Sequence, residues 1–342
     1  MNFGHPQKFI DTVMFKEINE EPDTIQNTVQ TLSEDIRLSA DLIRSSKIIY
    51  IVGSGTSYHA GIVLQIGLLK HSIPAVAVRA PEFRHYIPNT GTGVTVILIS
   101  QSGESRDILD SLNMCKEKKY NTICITNNGQ SRLANETDIS IITQAGEEKA
   151  LAATKSHIAQ IIVMYTIYEL IANPNGYSYS RMNCKELSAL VSTLIKEYRH
   201  ILNISKKISG RIIFLGNGFL HAEAMEGALK FEETSNFITE AYPIGEYLHG
   251  PIQILSDDDT VIVLKGNDED GYQRVHEKLR EYTGNIITIG KDETCSIKLP
   301  ENKIEMLDSI LYIVPIQLLS NFKAVSLGLN PDKPTHLNKV VS

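Results

Sequence analysis

Cysteine is scarce in this chain of 342 residues. Its cysteines lie far apart and form no C-x-x-C pair: Cys115, Cys124, Cys184 and Cys295. A disulfide framework or a cysteine zinc cluster would need paired or closely spaced cysteines, so the sequence argues against both. Such usage suits a reducing compartment, and we expect the protein to be cytoplasmic.

Basic residues are not in excess. The chain has 33 Lys and Arg against 40 Asp and Glu, which gives a formal net charge of −7. Proteins that bind nucleic acid or anionic membranes through general electrostatics are usually basic. We therefore expect neither nucleic acid nor a membrane as a partner.

Long apolar runs are lacking too. No run of 18 apolar residues occurs, and the nearest stretch, 157–172, is interrupted by His157, Gln160 and Glu169. The first residues, MNFGHPQKF, lack the apolar core of a signal peptide. The sequence therefore predicts a soluble protein without a membrane span.

Three common cofactor signatures are missing. The ten histidines form no H-E-x-x-H or other good zinc spacing, so we expect no metal. No G-x-x-x-x-G-K-S/T loop occurs, which argues against a nucleotide triphosphatase. GSGTS at 53–57 is not a dinucleotide loop, because Tyr58 stands where G-x-G-x-x-G needs its last glycine. We expect no cofactor.

Apolar runs of strand length alternate with helix-like stretches in the first half of the chain. The runs at 47–55 and 94–100 are each followed by an amphipathic stretch, 58–70 and 105–119, and a further run lies at 121–126. Continuously apolar strands alternating with helices are typical of a parallel sheet that is covered on both faces.

The second half repeats this pattern. Gly216 and Gly218 in RIIFLGNG stand 163 residues after Gly53 and Gly55 in IIYIVGSG. A repeat of that length indicates two copies of one domain. We predict an α/β fold: two doubly wound parallel-sheet domains in tandem, each a three-layer αβα, flavodoxin-like unit with ligands beyond the carboxyl ends of its strands.

The strongest chemical signal is SQSGES at 100–105. Three hydroxyls, from Ser100, Ser102 and Ser105, and the Gln101 amide crowd one strand-to-helix turn. Free N–H groups and the positive end of the helix dipole bind anions at such a place. An ordinary N-cap is the alternative, but GSGTS on the preceding strand end makes a phosphate site the better interpretation.

The corresponding turn of the second half is KGNDEDG, at 265–271. Its acidic residues would repel a phosphate. We therefore predict one phosphate pocket in each chain.

The second half has its own polar segment, EGALKFEETS at 226–235. Glu226, Lys230 and Glu233 are spaced by four and three residues, so they share one helix face. A solvated charged face is the alternative. His249 stands before a Gly-Pro turn, and a single histidine is more often structural than catalytic.

Together these motifs resemble the double sugar isomerase (SIS) family. The resemblance is strongest to the isomerase module of glucosamine-6-phosphate synthase and to the stand-alone glucosamine-6-phosphate deaminases and sugar-amine deglycases. It covers nearly the whole chain, including EEKALAATKS at 147–156, GEYLHGP at 245–251 and NPDKPTHLNKVVS at 330–342. Two positions depart from the family pattern, Ser54 for a cysteine and Glu232 for a lysine.

The resemblance implies roles for individual residues. Phosphosugar-binding residues are Thr56, Ser57, Ser100, Gln101, Ser102, Ser105, Leu151 and Ala153. Glu233 corresponds to the base that moves a proton between C1 and C2, with Glu226 and Lys230 supporting it. His249 corresponds to a ring-opening histidine given by the neighbouring subunit of a homodimer. Lys339 corresponds to a lysine that forms a Schiff base with the sugar.

The expected domains follow from the repeat and the resemblance. A turn-rich linker is predicted at 173–181 and a long helix at 185–207. The predicted order is a helical arm (1–45), a phosphosugar-binding SIS domain (46–172), linker and connecting helix (173–208), a SIS domain with the catalytic helix and loop (209–325), and a catalytic tail (326–342).

The implied activity is conversion of a 6-phosphorylated amino sugar or sugar–amine adduct. Glucosamine 6-phosphate going to fructose 6-phosphate and ammonia is the leading candidate, and deglycation of a fructosamine-type 6-phosphate comes next. A simple phosphosugar isomerase and a non-catalytic phosphosugar sensor are the alternatives. The chain carries no glutaminase segment before the module, so we expect no glutaminase activity.

Overall fold

The computed structural model describes residues 6–32, 34–87, 93–267 and 269–337. These form two parallel five-stranded sheets flanked by helices. The strands are β1 (Ile48–Gly53), β2 (Ala75–Arg79), β3 (Val94–Ile99), β4 (Asn121–Thr126), β5 (Ile139–Ile142), β6 (Ile212–Leu215), β7 (Thr239–Tyr242), β8 (Thr260–Lys265), β9 (Ile286–Gly290) and β10 (Ile297–Lys298).

The helices account for most of the remaining described residues. They are α1 (Val13–Asn19), α2 (Glu21–Thr31), α3 (Asp35–Ser45), α4 (Thr56–Lys70), α5 (Phe83–Tyr86), α6 (Arg106–Lys118), α7 (Arg132–Glu136), α8 (Lys155–Ala172), α9 (Tyr177–Lys196), α10 (Tyr198–Ser205), α11 (Phe219–Ser235), α12 (Glu269–Leu279) and α13 (Glu305–Ser326).

The two sheets share one strand order. The first runs β2-β1-β3-β4-β5 and the second, written from the same side, β7-β6-β8-β9-β10. In the first sheet the connection after β1 leads to one side of the sheet and the connection after β3 leads to the other side, so the switch point lies between β1 and β3. In the second sheet the switch point lies between β6 and β8 for the same reason. The predicted α/β class with doubly wound parallel sheets is confirmed.

Central strands are buried because their sequences are almost entirely apolar. All six residues of β3 are buried, as are all four of β6. Two long helices, α8 and α13, are mostly apolar and are buried on nearly all faces, which is typical of core helices. Among the described residues α13 alone is long and apolar enough to cross a membrane, but 94% of its apolar window is buried inside the protein.

The described chain divides into two compact units. The first-sheet unit holds residues 20–148 and 155–189, and the second-sheet unit holds 6–19, 149–154 and 190–337. The short segment 149–154 therefore belongs to the second-sheet unit, although in the sequence it lies between residues of the first-sheet unit.

The predicted linker and long helix differ from the structure. The turn formers at 173–176 make a turn, but α9 already begins at Tyr177 and ends at Lys196, and α10 follows separately. The Tyr177 hydroxyl donates to the carbonyls of Val29 and Leu32 at 2.8 and 2.9 Å. These contacts fix the start of α9 within residues whose composition resembles a loop.

Candidate active site

The residues 100–105, here called the serine loop, connect β3 to α6. The Oγ atoms of Ser100 and Ser105 lie 3.1 Å apart, and the N–H of Gly103 donates to Ser100 Oγ at 3.1 Å. Gly103 has φ +67°, and a Cβ there would lie 2.2 Å from Ser131 Oγ. Glycine is needed here because a side chain would clash with Ser131, just before α7. The hydroxyls of Ser100 and Ser105 lie together, and their role in binding phosphate stays a prediction.

The end of β4 and the loop that follows it donate hydrogen bonds to the serine loop. The Asn127 N–H and the Thr126 hydroxyl both donate to the Gln101 carbonyl, at 3.1 and 3.2 Å. The Asn128 side-chain amide donates to the Ser102 carbonyl at 3.4 Å. The carbonyls of the loop are thus engaged by protein donors, while the Ser105 side chain makes no capping bond to α6. This arrangement leaves the start of α6 suited to an anion.

A further hydroxyl comes from the helix that follows the neighbouring strand, β1. Ser57 lies in the first turn of α4 and is buried, and its Oγ accepts a hydrogen bond from Gln160 Nε2 at 3.0 Å. Since that oxygen already accepts, the Ser57 hydroxyl hydrogen is left to donate to a ligand. Strands β1 and β3 are paired, so the turns that follow them meet at one edge of the sheet. This is the switch point where ligands bind in such sheets.

Gln160 was not predicted as a site residue. Its signal in the sequence is that it interrupts an otherwise apolar stretch, 157–172. Burial of an amide in α8 is costly unless the amide is hydrogen-bonded. The bond to Ser57 supplies that partner and gives Gln160 a role in orienting the hydroxyl.

Three charged residues of α11 form a buried triad. Lys230 Nζ lies 3.2 Å from Glu226 Oε1 and 2.6 Å from Glu233 Oε2. The side chains of Lys230 and Glu226 are 0% and 1% exposed, and that of Glu233 is 19% exposed. A solvated charged face is therefore excluded for this segment. Glu233 is the member of the triad that reaches solvent.

The triad keeps its lysine charged. Burial alone would lower the pKa of Lys230, but the carboxylates of Glu226 and Glu233 outweigh it and raise that pKa above its usual value. The contact with Lys230 fixes the direction of the Glu233 carboxylate. An oriented and partly exposed carboxylate is suited to accept a proton from a bound molecule.

His249 lies apart from the triad in sequence. It ends the short 3₁₀ helix Glu246–His249, and the next residue, Gly250, has φ +141°. The side chain is exposed. Its predicted role across a subunit interface stays a prediction.

Leu151 and Ala153 lie in the segment 149–154, which belongs to the second-sheet unit rather than to that of the serine loop. The Leu151 N–H donates to the Asp332 carbonyl at 3.1 Å. The Glu17 carboxylate accepts from the Ala150 N–H at 3.3 Å. Glu17 is buried, so this segment is fixed by groups far away in sequence.

Asp332 also holds the start of α1. Its two carboxylate oxygens accept from the N–H groups of Val13 and Met14 at 2.9 and 2.8 Å. The turn that precedes the predicted catalytic tail is thus tied to the N-terminal arm. Lys339 itself lies outside the described residues, as does Asp268 of the acidic turn. Within the described ranges, no three His, Cys, Asp or Glu side chains are grouped to hold a metal ion.

The SIS domain matches two segments of the chain, residues 42–170 and 207–302. Each segment spans most of one sheet. The chain belongs to the SIS domain family.

Curated relatives are glutamine–fructose-6-phosphate aminotransferases [isomerizing]. The one from Sulfolobus acidocaldarius is 33% identical over 96% of this chain and 56% of its own length. The one from Pyrobaculum aerophilum is 31% identical over 96% of this chain and 57% of its own length. The chain thus spans little more than half the length of these relatives.

Solved structures agree with this match. The C-terminal domain of glucosamine-fructose-6-phosphate aminotransferase from Francisella tularensis is 31% identical, with a TM-score of 0.86 over 95% of this chain and 98% of that one. Glucosamine-6-phosphate deaminase from Thermotoga maritima shares the fold at 24% identity, with a TM-score of 0.80 over 96% and 99%.

Proposed function

We propose that this chain is an enzyme that acts on a 6-phosphorylated amino sugar or sugar–amine adduct and couples aldose–ketose isomerisation to loss of the amine. The leading reaction is glucosamine 6-phosphate plus water to fructose 6-phosphate plus ammonia. The observation that carries the proposal is the buried triad, in which Lys230 holds the partly exposed carboxylate of Glu233. The names of the relatives, which act on hexose 6-phosphates, support the substrate class.

The serine loop is the proposed phosphate site. Its hydroxyls and the amides at the start of α6 donate hydrogen bonds to a dianion, and the helix dipole adds a favourable field. Thr56, Ser57 and Gln101 complete the donor set. Anchoring the phosphate fixes the sugar, which lowers the entropy cost of bringing C1 and C2 to a base.

Glu233 is the proposed base. It removes the proton from C2 of the open-chain amino aldose and returns it to C1, which leaves an imine at C2. Water then adds to C2, and the carbon–nitrogen bond breaks to give the ketose phosphate and ammonia. Glu226 and Lys230 act by positioning and charging Glu233.

Two further residues complete the proposal. His249, exposed on its turn, opens the sugar ring in the site of a partner subunit, so that the active enzyme is a homodimer. Lys339 provides a second route from the imine at C2: its amine displaces ammonia to form a Schiff base at C2, and water then hydrolyses that Schiff base to release the ketose phosphate and the free lysine. Leu151 and Ala153 contact the sugar hydroxyls. We also infer that the two matched segments are two SIS domains in tandem and that the enzyme works in the cytoplasm.

Deglycation of a fructosamine 6-phosphate is a close second candidate. It uses the same phosphate site and base, but the leaving amine is larger than ammonia. The exposure of Glu233 is compatible with either amine.

The test is a substrate panel. The intact protein is incubated with glucosamine 6-phosphate, with fructosamine-type 6-phosphate adducts and with glucose 6-phosphate, and released amine and ketose phosphate are measured. Release of both products from the first supports the leading reaction. Tight binding of phosphosugars with no product from any of them would favour the sensor instead.

A further inference from the structure

The serine loop contains an acidic residue, Glu104, although an acid repels a phosphate. Glu104 lies directly before Ser105, whose hydroxyl belongs to the proposed phosphate site. A carboxylate that faced the ligand would weaken the binding of a dianion. The direction of the Glu104 carboxylate therefore decides what this residue does.

The Glu104 carboxylate is directed at the start of α7. Its Oε1 accepts a hydrogen bond from the backbone N–H of Arg132, the first residue of α7, at 2.7 Å. Hydrogen bonds to a charged group are roughly twice as strong as those between neutral groups. The carbonyl of Gly103 accepts from the next N–H of α7, that of Leu133, at 3.2 Å. Two adjacent residues of the serine loop thus bind two adjacent N–H groups of α7.

The start of α7 is itself fixed by hydrogen bonds. Ser131 Oγ donates to the Asn128 carbonyl at 2.7 Å and accepts from the Ala134 N–H at 3.2 Å. The contact with the serine loop is close, since a Cβ on Gly103 would lie 2.2 Å from Ser131 Oγ. All these residues belong to the first-sheet unit. The start of α7 is thus a well-defined support for the serine loop.

The hydroxyls of the serine loop follow its backbone. The N–H of Gly103 donates to Ser100 Oγ at 3.1 Å, and the N–H of Glu104 donates to Ser102 Oγ at 3.2 Å. Each hydroxyl oxygen is therefore oriented by the backbone one to three residues further along the loop. A shift of the loop away from α7 would move the hydroxyls that are proposed to bind the phosphate.

A cation close to Glu104 offsets part of its negative charge. The pKa of Arg132 is raised, mainly by its hydrogen bond with Glu136, and the charge of Glu104 adds to this effect. Glu104 is exposed, so water and salt screen the charge that remains. The carboxylate can therefore hold the loop without a large repulsion of a nearby phosphate.

We propose that Glu104 is a positioning residue of the phosphate site, whose carboxylate holds the serine loop against α7 and so places the hydroxyls that bind the phosphate. Glu104 does not touch the ligand. This role rests on the phosphate site proposed above. The alternative is that Glu104 only repels the phosphate. The two accounts predict changes of opposite sign when the carboxylate is removed.

Calorimetry with glucose 6-phosphate tests the sign. E104A removes the acceptor of the Arg132 N–H, so affinity should fall about tenfold, the size of one net hydrogen bond to a charged group. E104Q keeps an oxygen that can accept this bond and should recover most of the loss. E117A removes an exposed carboxylate near the other end of α6 and should bind as wild type does. Unchanged or tighter binding by E104A, or an equal loss in E104Q, would overturn the proposal.

Hydrogen–deuterium exchange measures the contact without a ligand. In E104A, peptides that contain Arg132 and Leu133 should exchange several-fold faster than in wild type, whereas E104Q and E117A should stay close to wild type. Equal exchange in E104A and wild type would overturn the proposal even if phosphosugars bind. A wild type that shows this protection but binds no phosphosugar would refute the phosphate site, and the role of Glu104 in binding with it. Because Glu104 and Glu117 are exposed, all three variants should melt close to wild type.

Discussion

The carboxyl ends of the two sheets share a backbone turn but differ in side chains. Gly55 before α4 has φ 52° and ψ −127°, and Gly218 before α11 has φ 57° and ψ −126°. A Cβ on Gly53 would lie 2.8 Å from the Ser57 carbonyl carbon, and one on Gly216 would lie 2.4 Å from the Leu220 oxygen. Both turns therefore need two glycines for the same steric reasons.

The side chains on this shared turn decide what the carboxyl end of each sheet can bind. These ends are called the first edge and the second edge, after the first and second sheets. Strand register pairs Val52 with Leu98 and Leu215 with Val263, which places Asn267 of the second sheet at the position of Ser102 in the first. Ser57 is likewise replaced by Leu220. The first edge offers hydroxyl donors, and the second offers an amide, apolar groups and acids. The backbone of the two turns is the same, and their side chains differ in chemistry.

The largest expected effect concerns α11, which carries the triad, whereas α4 carries none. E233Q keeps the size of the side chain but removes the group that accepts the proton. Turnover should fall by about a hundredfold or more with substrate affinity nearly unchanged, the usual scale for a general base. Initial rates and calorimetry measure the two quantities.

E232Q is the matched control for that change. Glu232 is the neighbouring glutamate, is exposed and accepts from the Thr239 hydroxyl at 2.8 Å. Its rate should stay near that of wild type. Equal losses in the two variants would contradict the assignment of the base.

The next prediction compares phosphosugar affinity after an acidic substitution at the carboxyl end of each sheet. S102D places a carboxylate in the serine loop, where it repels a phosphate by several kcal/mol at short range, so phosphosugar affinity should fall by about a hundredfold or more. N267D makes an acidic change at the equivalent position of the second sheet and should leave that affinity unchanged. A similar loss in both variants, measured by calorimetry, would show that the edges do not differ in this way.

The sequence predicted the first edge well because its chemistry is local. Apolar strands and the SQSGES segment are contiguous, so their fold and their hydroxyl cluster can be inferred from neighbours along the chain. The triad was also visible, since Glu226, Lys230 and Glu233 recur at helical spacing. Its burial was not visible, and burial is what separates an oriented base from a solvated charged face.

The contacts that the sequence did not predict are hydrogen bonds between residues that lie far apart in the chain. Gln160 contacts Ser57 across 103 residues, and Asp332 contacts Met14 across 318. The segment 149–154 is likewise held within the second-sheet unit by contacts with Glu17 and Asp332. The sequence predicted a crevice at the carboxyl end of each sheet, but it did not predict the lining of the cavity in the second sheet. Phe219, Leu264 and Tyr312 line that cavity, and in the sequence they look like ordinary core residues.

A smaller loss of phosphosugar affinity is expected from a substitution in α8, the helix whose Gln160 contacts Ser57. Q160L removes the donor that orients Ser57, and phosphosugar affinity should fall by roughly three- to tenfold, the size of one net hydrogen bond. Q317L makes the same replacement of a buried glutamine in α13, the long core helix of the other unit. It should leave phosphosugar affinity unchanged. An unaltered affinity in Q160L would remove Gln160 from the site.

The smallest effect on activity is expected from a substitution at the amino end of the second sheet, opposite to its carboxyl end. Asp259, immediately before β8, is buried and lies 2.6 Å from Arg211. Burial would raise the pKa of Asp259, but hydrogen bonds from Arg211 and Ser256 outweigh it and lower that pKa to about 2. By strand register, Val94 of β3 holds the corresponding position in the first sheet, and its side chain is apolar. At this position the second sheet has an ion pair where the first sheet has an apolar side chain.

A carboxyl whose folded pKa lies below its unfolded value stabilises the fold when it is ionised, and this stabilisation is lost as the pH falls through the folded pKa. D259N should therefore lower the free energy of unfolding by about 2 kcal/mol at neutral pH. The difference between variant and wild type should begin to shrink near pH 4 and nearly vanish as the pH approaches 2. Urea unfolding at a series of pH values measures it, and turnover at neutral pH should stay close to wild type. A difference that does not change with pH would show that D259N acts through packing rather than through the charge of Asp259.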